Sequence, residues 1–242
     1  MNNIGYVIAN VALIACLGLS LFQVSRYRDA LKKAQQTQPG DTRYLAAFPE
    51  NMVAINDLIS RTTFHLVVVT DFCGYGHFSA PELFAVYEDS LISKKKNGVF
   101  VEVHLYDQTT TDTMTASQFD LGDPNQCDAA FAALKREPKF AAYFKYHGNS
   151  NPPLQVPVNV QEFVALMSAQ QGKCVQRLQE GGVFVRNDVH SPLPVFMWIR
   201  DDEEAIFSMY NLGHHAREIS LITRDRNLVL MLRSIAQNYA VQ

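Results

Sequence analysis

The sequence is poor in cysteine and has no excess of basic residues. The cysteines, which form no C-x-x-C pair and show no regular spacing, are Cys16, Cys73, Cys127 and Cys174. Such a set indicates neither a disulfide framework nor a zinc site. The formal net charge of −3 argues against nucleic-acid binding driven by overall charge, and leaves a local basic patch open. The sequence also lacks internal repeats and low-complexity tracts, and we predict no cofactor and no metal.

One long stretch, Ile4 to Val24, lacks any charged side chain. As a helix rising ~1.5 Å per residue it would extend about 31 Å, enough to span the hydrocarbon core of a bilayer. A buried helix and a cleaved signal peptide are the alternatives, but a signal peptide requires positive charge before the apolar run. A lipoprotein signal ending at Cys16 is disfavoured because the following residues stay apolar. The stretch therefore predicts one transmembrane helix.

Basic residues near this stretch all follow it, and they are Arg26, Arg28, Lys32 and Lys33. By the positive-inside rule, this asymmetry places the C-terminal part of the chain in the cytoplasm. Residues 26–42 are expected to form a juxtamembrane helix and a linker, since Pro39-Gly40 interrupts the helix. We therefore predict a transmembrane helix at 1–25 and a globular domain at 43–242.

The first part of the domain predicts a β–α–β unit. Leu45 to Ser60 is expected to be helical because its apolar residues recur at helical spacing. Phe64 to Thr70 is almost continuously apolar, which is typical of a strand buried on both faces of a parallel sheet. Ser79 to Glu82 has the pattern of a capping box that starts a helix ending near Lys96. Val99 to Tyr106 then forms the second strand.

A helical insertion is expected to follow, at about 108–180. Its first part, Asp107 to Gln126, is polar and rich in threonine, and helical segments follow at 126–137 and 139–146. Asn159 and Glu162 form a capping pattern for a long helix that ends near Gly181.

The last part of the chain predicts four strands and a closing helix. Short β-branched and aromatic runs, separated by turn residues, mark the strands. The predicted strands are Val183–Arg186, Val195–Arg200, Ala205–Met209 and Glu218–Thr223. Asp201 to Glu204 forms a polar turn, and Asp225 is the expected N-cap of the helix. The domain is thus predicted to be α/β, with a mixed sheet flanked by helices.

This order of elements resembles a phospholipase D-like half-domain over roughly Met52–Asp107 and Leu178–Tyr239. In that family a Leu-x-x-x-Gly-Val-x-Val strand precedes a His-x-Lys-x4-Asp motif, and a Gly-Ser-x-Asn strand and a glutamate follow. Leu178 to Val185 is similar to the first of these motifs. The residues similar to the later ones are Asp201 or Asp202, Ser208, Asn211 and Glu218.

The histidine and lysine of the family motif have no counterpart in this sequence. Their positions hold Pro194 and Phe196 when counted from the first acid, or Val195 and Met197 when counted from the second. In the family the histidine attacks phosphorus and the lysine holds the phosphoryl oxygens, which none of these four side chains can do. The resemblance therefore implies the fold with a degenerate catalytic motif.

The loop from Asp71 to Ser79 is the main candidate binding site. In an open α/β sheet, ligands bind where the strands end, and a glycine-containing loop before a helix can receive an anion. The candidate residues for a phosphate-containing ligand are Asp71, Tyr75, His77, Ser79 and, from a later loop, His190. In the alternative interpretation, Asp71 and Ser79 cap the helix and Cys73 is a core residue. A nucleophilic pair of Cys73 and His77 is a further alternative, without an identifiable orienting partner.

The sequence thus predicts a membrane-anchored, non-catalytic phospholipase D-like module with a binding or scaffolding role. The resemblance also implies a homodimer, because single half-domains of this family typically pair. The alternative is a phosphodiesterase, nuclease or other hydrolase that uses residues outside the family motif, namely His77, Cys73 or His190. No motif identifies a protein partner.

Overall fold

The computed structural model describes residues 42–71, 75–119, 121–148, 153–190, 195–209 and 218–239. Within these ranges the chain forms seven strands and seven helices. The strands are β1 (Thr42–Ala47), β2 (His65–Val69), β3 (Phe100–Tyr106), β4 (Phe184–Val189), β5 (Val195–Arg200), β6 (Glu204–Met209) and β7 (Ile219–Thr223). The helices are α1 (Asn51–Arg61), α2 (Pro81–Lys96), α3 (Gln108–Phe119), α4 (Pro124–Arg136), α5 (Pro138–His147), α6 (Val160–Glu180) and α7 (Arg226–Tyr239).

The strands lie in one mixed sheet, in the order β1-β7-β6-β5-β2-β3-β4. Strands β2, β3 and β4 run parallel, and the other neighbours pair antiparallel. Leu66 to Val69 of β2 are buried, as the apolar run predicts. The prediction of a mixed α/β sheet flanked by helices is confirmed.

The strand directions define two edges of the sheet. Strands β2, β3, β4 and β6 end at the carboxyl edge, where β5 and β7 begin. At the amino edge, β2, β3, β4 and β6 begin, and β5 and β7 end. Thr42 pairs with Thr223, so β1 begins at the amino edge. A strand of six residues separates the two edges by about 20 Å.

Helices cover both faces of the sheet. Trp198 of β5 is fully buried, and its Nε1 donates a 3.3 Å hydrogen bond to Tyr87 Oη of α2. On β3, Glu102 contacts α7, with Arg233 Nη1 3.1 Å from its Oε1. Glu102 of β3 lies opposite Val67 of β2, whereas Trp198 of β5 lies opposite Val68, the next residue of β2. Because successive strand residues point to opposite faces, α2 and α7 lie on opposite sides of the sheet.

The predicted insertion is present between β3 and β4 and consists of α3 to α6. These helices enclose their own aromatic core, formed by Phe119, Phe131, Phe140, Tyr143 and Phe163. Asn159 caps α6 as predicted, since its Oδ1 accepts a 2.8 Å hydrogen bond from Glu162 N. The insertion therefore packs as a small helical layer beside the sheet.

Two local predictions are wrong. Leu45 lies in strand β1 rather than in a helix, because residues 42–47 pair antiparallel with β7. Helix α2 has Ala80 as its N-cap without a side-chain hydrogen bond, so the capping box at Ser79 does not form. The threonine-rich start of the insertion is also helical, and Thr110 N donates to Asp107 Oδ1 at its start, at 2.7 Å.

The C-terminal elements follow the prediction more closely. Strand β5 has the predicted bounds, and the other three strands differ by one to three residues at an end. Leu228 N donates a 2.9 Å hydrogen bond to Asp225 Oδ1, which confirms Asp225 as the cap of α7.

No helix in the described part of the chain is both long enough and apolar enough to cross a membrane. The transmembrane helix predicted at Ile4–Val24 lies outside the described residues, as does the juxtamembrane segment predicted at 26–42 except for its last residue, Thr42, which begins β1.

Candidate functional site at the carboxyl edge

The loop after β2 lies at the carboxyl edge, but its candidate residues diverge. Asp71 lies two residues after the end of β2, and its carbonyl oxygen accepts a 3.0 Å hydrogen bond from Tyr106 N. Tyr75 and His77 are both buried, and their side chains enter two different clusters. Ser79 is half-buried just before α2. The structure therefore does not unite Tyr75 and His77 around one ligand.

Tyr75 is the centre of a polar cluster, which we call the Tyr75 cluster. Its hydroxyl donates to Glu218 Oε1 and accepts a 2.7 Å hydrogen bond from Asn51 Nδ2. Asn51 Nδ2 also lies 2.6 Å from Ser220 Oγ and 3.3 Å from Ser208 Oγ. The two serine hydroxyls are 2.5 Å apart. Helix α1, the loop after β2 and the hairpin of β6 and β7 thus meet in one hydrogen-bonded network.

Burial controls the protonation of the Tyr75 cluster. Burial, together with the charge of Glu218 and the hydrogen bond to it, raises the pKa of Tyr75 far above its ordinary value. Burial also raises the pKa of Glu218, although hydrogen bonds from Tyr75 and Ser208 act in the other direction. The tyrosine hydroxyl is therefore a proton donor at neutral pH and not a nucleophile. Asn211, which the resemblance places near Ser208, lies outside the described residues.

Aromatic rings surround the tyrosine. The centroid of the Tyr75 ring lies 4.7 Å from that of Trp198, 5.0 Å from Phe48 and 6.1 Å from Phe196, all edge-on. Such pairs add to the stabilisation that burial of the rings provides. Together the rings and the polar cluster fill the carboxyl end of β5.

The motif positions on β5 are apolar and largely buried. Phe196 and Met197, which occupy the two alternative lysine positions, are both buried. Val195, one histidine position, is half-buried, and Pro194, the other, lies outside the described residues. No described motif position on β5 therefore offers a nucleophile or a cation.

Asp201, one of the two residues that could be the acid of the family motif, lies at the amino edge, about 20 Å from Glu218 by the length of β5. Asp202, the other, is next to it on the same turn. The Asp201 carboxylate accepts hydrogen bonds from the backbone N–H groups of Thr63, Phe64 and His65 at 2.8–2.9 Å. Burial opposes ionisation, but these bonds outweigh it and lower the pKa of Asp201. Asp201 therefore organises the turn after β5 and is remote from the carboxyl edge.

His77 belongs to a second cluster, formed with the helical insertion. Its ring centroid lies 5.1 Å from that of Phe84, 5.2 Å from Tyr143 and 5.6 Å from His147. Burial and then the charge of His147 lower the pKa of His77 from 6.5 to about 4. A cavity of about 210 Å³ adjoins the ring. Because His77 is uncharged at neutral pH, it does not attract a phosphate by charge.

A histidine–aspartate pair lies where β3 and β4 end. His190 Nδ1 is 2.9 Å from Asp107 Oδ2, and His190 is 54% exposed. The hydrogen bond from His190, followed by the bond from the backbone of Thr110, lowers the pKa of Asp107 to about 2. A carboxylate that holds one imidazole nitrogen leaves the other to exchange a proton with a ligand.

Sequence reasoning selected His190 but missed Asp107. Each residue directly follows a parallel strand, so the rule that ligand sites form at the carboxyl ends of strands could have identified both. The pair is separate from the Ser208 side of the Tyr75 cluster, since Asp107 follows β3, which is three strand spacings, or about 14 Å, from β6.

A further charged network lies on the α7 face of the sheet. His104 Nδ1 is 3.0 Å from Asp188 Oδ1, and Glu102 contacts both His65, at 2.9 Å, and Arg233, at 3.1 Å. Within the described ranges, no group of three histidine, cysteine, aspartate or glutamate side chains is arranged to hold a metal ion.

No protein-family model matches the sequence, and no curated protein matches it. Among solved structures, the chain is similar to the phospholipase D family member Nuc from Salmonella typhimurium, at 13% identity and a TM-score of 0.42. That alignment covers 82% of this chain and 94% of Nuc.

Two further solved structures are similar to the chain. TrmBL2, an archaeal chromatin protein, has 12% identity and a TM-score of 0.44, with 98% of this chain and 67% of that one covered. Phosphatidylserine synthase from Haemophilus influenzae Rd KW20 has 16% identity and a TM-score of 0.41. That alignment covers 83% of this chain and 38% of the synthase. The likeness to these proteins is one of fold alone.

Proposed function

We propose that this chain is a membrane-anchored, non-catalytic phospholipase D-like module with a binding or scaffolding role. The observation that supports it best is the Tyr75 cluster, enclosed by Phe196 and Trp198. These side chains fill the end of β5 where the resemblance places the histidine and lysine that would act on a phosphodiester.

The chemistry of the cluster also disfavours phosphodiester hydrolysis. Hydrolysis needs a nucleophile, and it needs positive charge or hydrogen-bond donors around the phosphoryl oxygens. The Tyr75 cluster contains no cationic side chain, and any negative charge on Glu218 would repel a phosphodiester. Phe196 has no polar atom that could replace the lysine. We therefore assign the cluster the structural role of joining α1 to the β6–β7 hairpin.

Tryptophan fluorescence tests whether this site is closed. Trp198 is the single tryptophan of the chain, and its ring contacts Tyr75, so its emission reports any ligand that displaces the tyrosine. We expect inorganic phosphate and a soluble phosphodiester to leave the emission of the full chain in detergent unchanged. A saturable change that is lost in Glu218→Gln and kept in Glu203→Gln would contradict the proposal. Glu203 is a matched control because it is 71% exposed, on the turn after β5.

A phosphate-containing ligand is proposed at the Asp71–Ser79 loop, through the N–H groups of the first turn of α2 and the hydroxyl of Ser79. Titration calorimetry with inorganic phosphate tests this site. We expect weaker binding in Ser79→Ala and unchanged binding in Ser93→Ala, since Ser93 is an exposed serine near the other end of α2. Equal affinities of the two variants would count against the loop.

The membrane anchor and the homodimer are proposals with separate tests. The anchor rests on the uncharged stretch Ile4–Val24 and its basic flank, and deletion of Met1–Arg28 should move the protein from the membrane to the soluble fraction. A reporter fused after Gln242 should be cytoplasmic. Light scattering of the full chain in detergent should give twice the chain mass, and a monomer at tens of micromolar would exclude the dimer.

Hydrolysis is the second candidate function, and the Asp107–His190 pair is the observation that favours it. The sequence suggested His190 for this role, with His77 and Cys73 as the other candidates. His77 is buried with a lowered pKa, and Cys73 lies outside the described residues. If the pair is a general base, Asp107→Asn should reduce kcat more than KM.

A further inference from the structure

A cavity of about 210 Å³ lies where α2 meets the helical insertion, and it is lined by the loop before α2 and by helices α2, α5 and α6. We call it the α2 cavity. A cavity of about 150 Å³ that is lined by apolar side chains already holds one benzene molecule. The α2 cavity therefore has room for one six-membered ring with small substituents.

Aromatic side chains form much of its wall. The ring centroid of His77 lies 5.1 Å from that of Phe84 and 5.6 Å from that of His147, and the Tyr146 ring lies 4.9 Å from that of His147. All four residues line the cavity. Burial lowers the pKa of both histidines, so their imidazoles are uncharged at neutral pH. Such a wall suits a flat ring that packs against other rings.

His77 brings a polar group to the buried end of the cavity. The residue is only 7% exposed, and neither of its ring nitrogens has a hydrogen-bond partner in the part of the chain that the structure describes. A buried polar group without a partner costs free energy, and a hydroxyl group of a ligand would supply the missing hydrogen bond. A neutral imidazole donates at one nitrogen and accepts at the other, as a hydroxyl requires.

The charged side chains of the lining leave one cation available. Among the described residues they are Glu88, Lys173 and Arg177. Glu88 is buried and accepts hydrogen bonds from Arg177 and from the Cys174 thiol. Arg177 also lies 2.6 Å from Asp89, which is 68% exposed and outside the lining. Lys173 is exposed at the mouth of the cavity, and it forms no ion pair with any described residue.

We infer that the α2 cavity binds a small aromatic carboxylate that carries a hydroxyl group opposite the carboxylate. The ring packs against Phe84 and His147, the hydroxyl forms a hydrogen bond with His77, and Lys173 holds the carboxylate. A cationic ligand is disfavoured because two basic side chains line the cavity and only one acidic side chain does. A phosphate is disfavoured because it has no ring and needs more than one free cation.

The inference does not depend on the phosphate ligand of the proposed function, which would use backbone N–H groups and Ser79 rather than Lys173. Ser79→Ala should therefore leave binding at the α2 cavity unchanged. The two sites fail or survive separately.

Titration calorimetry of the full chain in detergent, with micelles alone as the reference, tests the inference. The probe is para-hydroxybenzoate. We expect saturable binding that is about tenfold tighter than that of para-hydroxybenzamide, which has the same ring and hydroxyl but no charge. Benzoate, which lacks the hydroxyl, should also bind more weakly, because it cannot form the hydrogen bond to His77.

Two variants assign the binding to this cavity. Lys173→Gln should weaken the binding of para-hydroxybenzoate about tenfold and leave that of the amide unchanged. Lys96→Gln is the matched control because Lys96 is exposed at the end of α2, and it should change neither affinity. Ala85→Phe should abolish the binding of both compounds, because its ring would fill the cavity that Ala85 lines.

Several results would overturn the inference. The first is the absence of saturable binding up to about 10 mM para-hydroxybenzoate. The others are equal affinities of the wild type for the acid and the amide, an equal loss of affinity in Lys96→Gln and Lys173→Gln, and binding that persists in folded Ala85→Phe. Displacement of the probe by inorganic phosphate at equal concentration would assign the cavity to a phosphate-containing ligand instead.

Discussion

The buried His77 ring should make the fold sensitive to acid. Its pKa is lowered from 6.5 to about 4, so on acidification the unfolded chain takes up this proton before the folded chain does. The contribution to stability is fully present above pH 6.5 and is lost as the pH falls towards 4. From these two pKa values, the loss at pH 5 relative to pH 7.5 is about 2 kcal/mol.

Denaturant unfolding of the full chain in a non-ionic detergent measures this loss, with the emission of the buried Trp198 as the probe. The perturbation is His77→Gln, which removes the titrating group. We expect the wild type to lose about 2 kcal/mol more than His77→Gln between pH 7.5 and pH 5. Lys96→Gln serves as the control because Lys96 is exposed at the far end of α2, and it should behave like the wild type. Equal losses in the wild type and His77→Gln would refute the reasoning.

The remaining predictions concern stability, and the same unfolding assay measures them. Gly76→Ala should destabilise the fold by several kcal/mol, whereas Gly98→Ala should cost only about 1 kcal/mol. Both glycines have positive φ, but only at Gly76 would an added Cβ collide with another atom, since it would lie 2.2 Å from Met52 Sδ. Equal losses of unfolding free energy in the two variants would contradict this. Asp201→Ala should cost about 1–3 kcal/mol because it leaves backbone N–H groups without their acceptor, and a loss below 0.5 kcal/mol would count against that role. Burial opposes protonation of His104, but its hydrogen bonds to carboxylate neighbours outweigh burial and raise its pKa. The wild type should therefore lose stability as the pH rises through that pKa, whereas His104→Gln should not.

Local signals explain the parts of the fold that the sequence predicted. The apolar run at β2, the cap Asp225 and the alternating runs of β5 to β7 depend on neighbouring residues, and each is found close to its predicted position. Strand β1 was missed because it is stabilised by pairing with β7, and Thr42 and Thr223 are 181 residues apart. Such tertiary pairing overrides the helical spacing of the apolar residues around Leu45.

The candidate site was predicted only as a list of residues. Tyr75 was selected as a ligand-binding residue, but its partners Asn51 and Glu218 are 24 and 143 positions away and give no local signal. His190 was selected without its partner Asp107, which is 83 positions away. Residue types and strand ends identify candidate side chains, whereas the direction in which each one points depends on packing between distant elements.

Hydrolysis assays on the purified full chain test the central claim most directly. The substrates should be a phospholipid, DNA and RNA, and the variants should be Tyr75→Phe, which changes the Tyr75 cluster, and His190→Gln, which removes the exposed imidazole. We predict no turnover of any substrate above the buffer control, in the wild type or in either variant. Turnover by the wild type that disappears in His190→Gln or in Tyr75→Phe would show that the carboxyl edge is catalytic and would contradict the account.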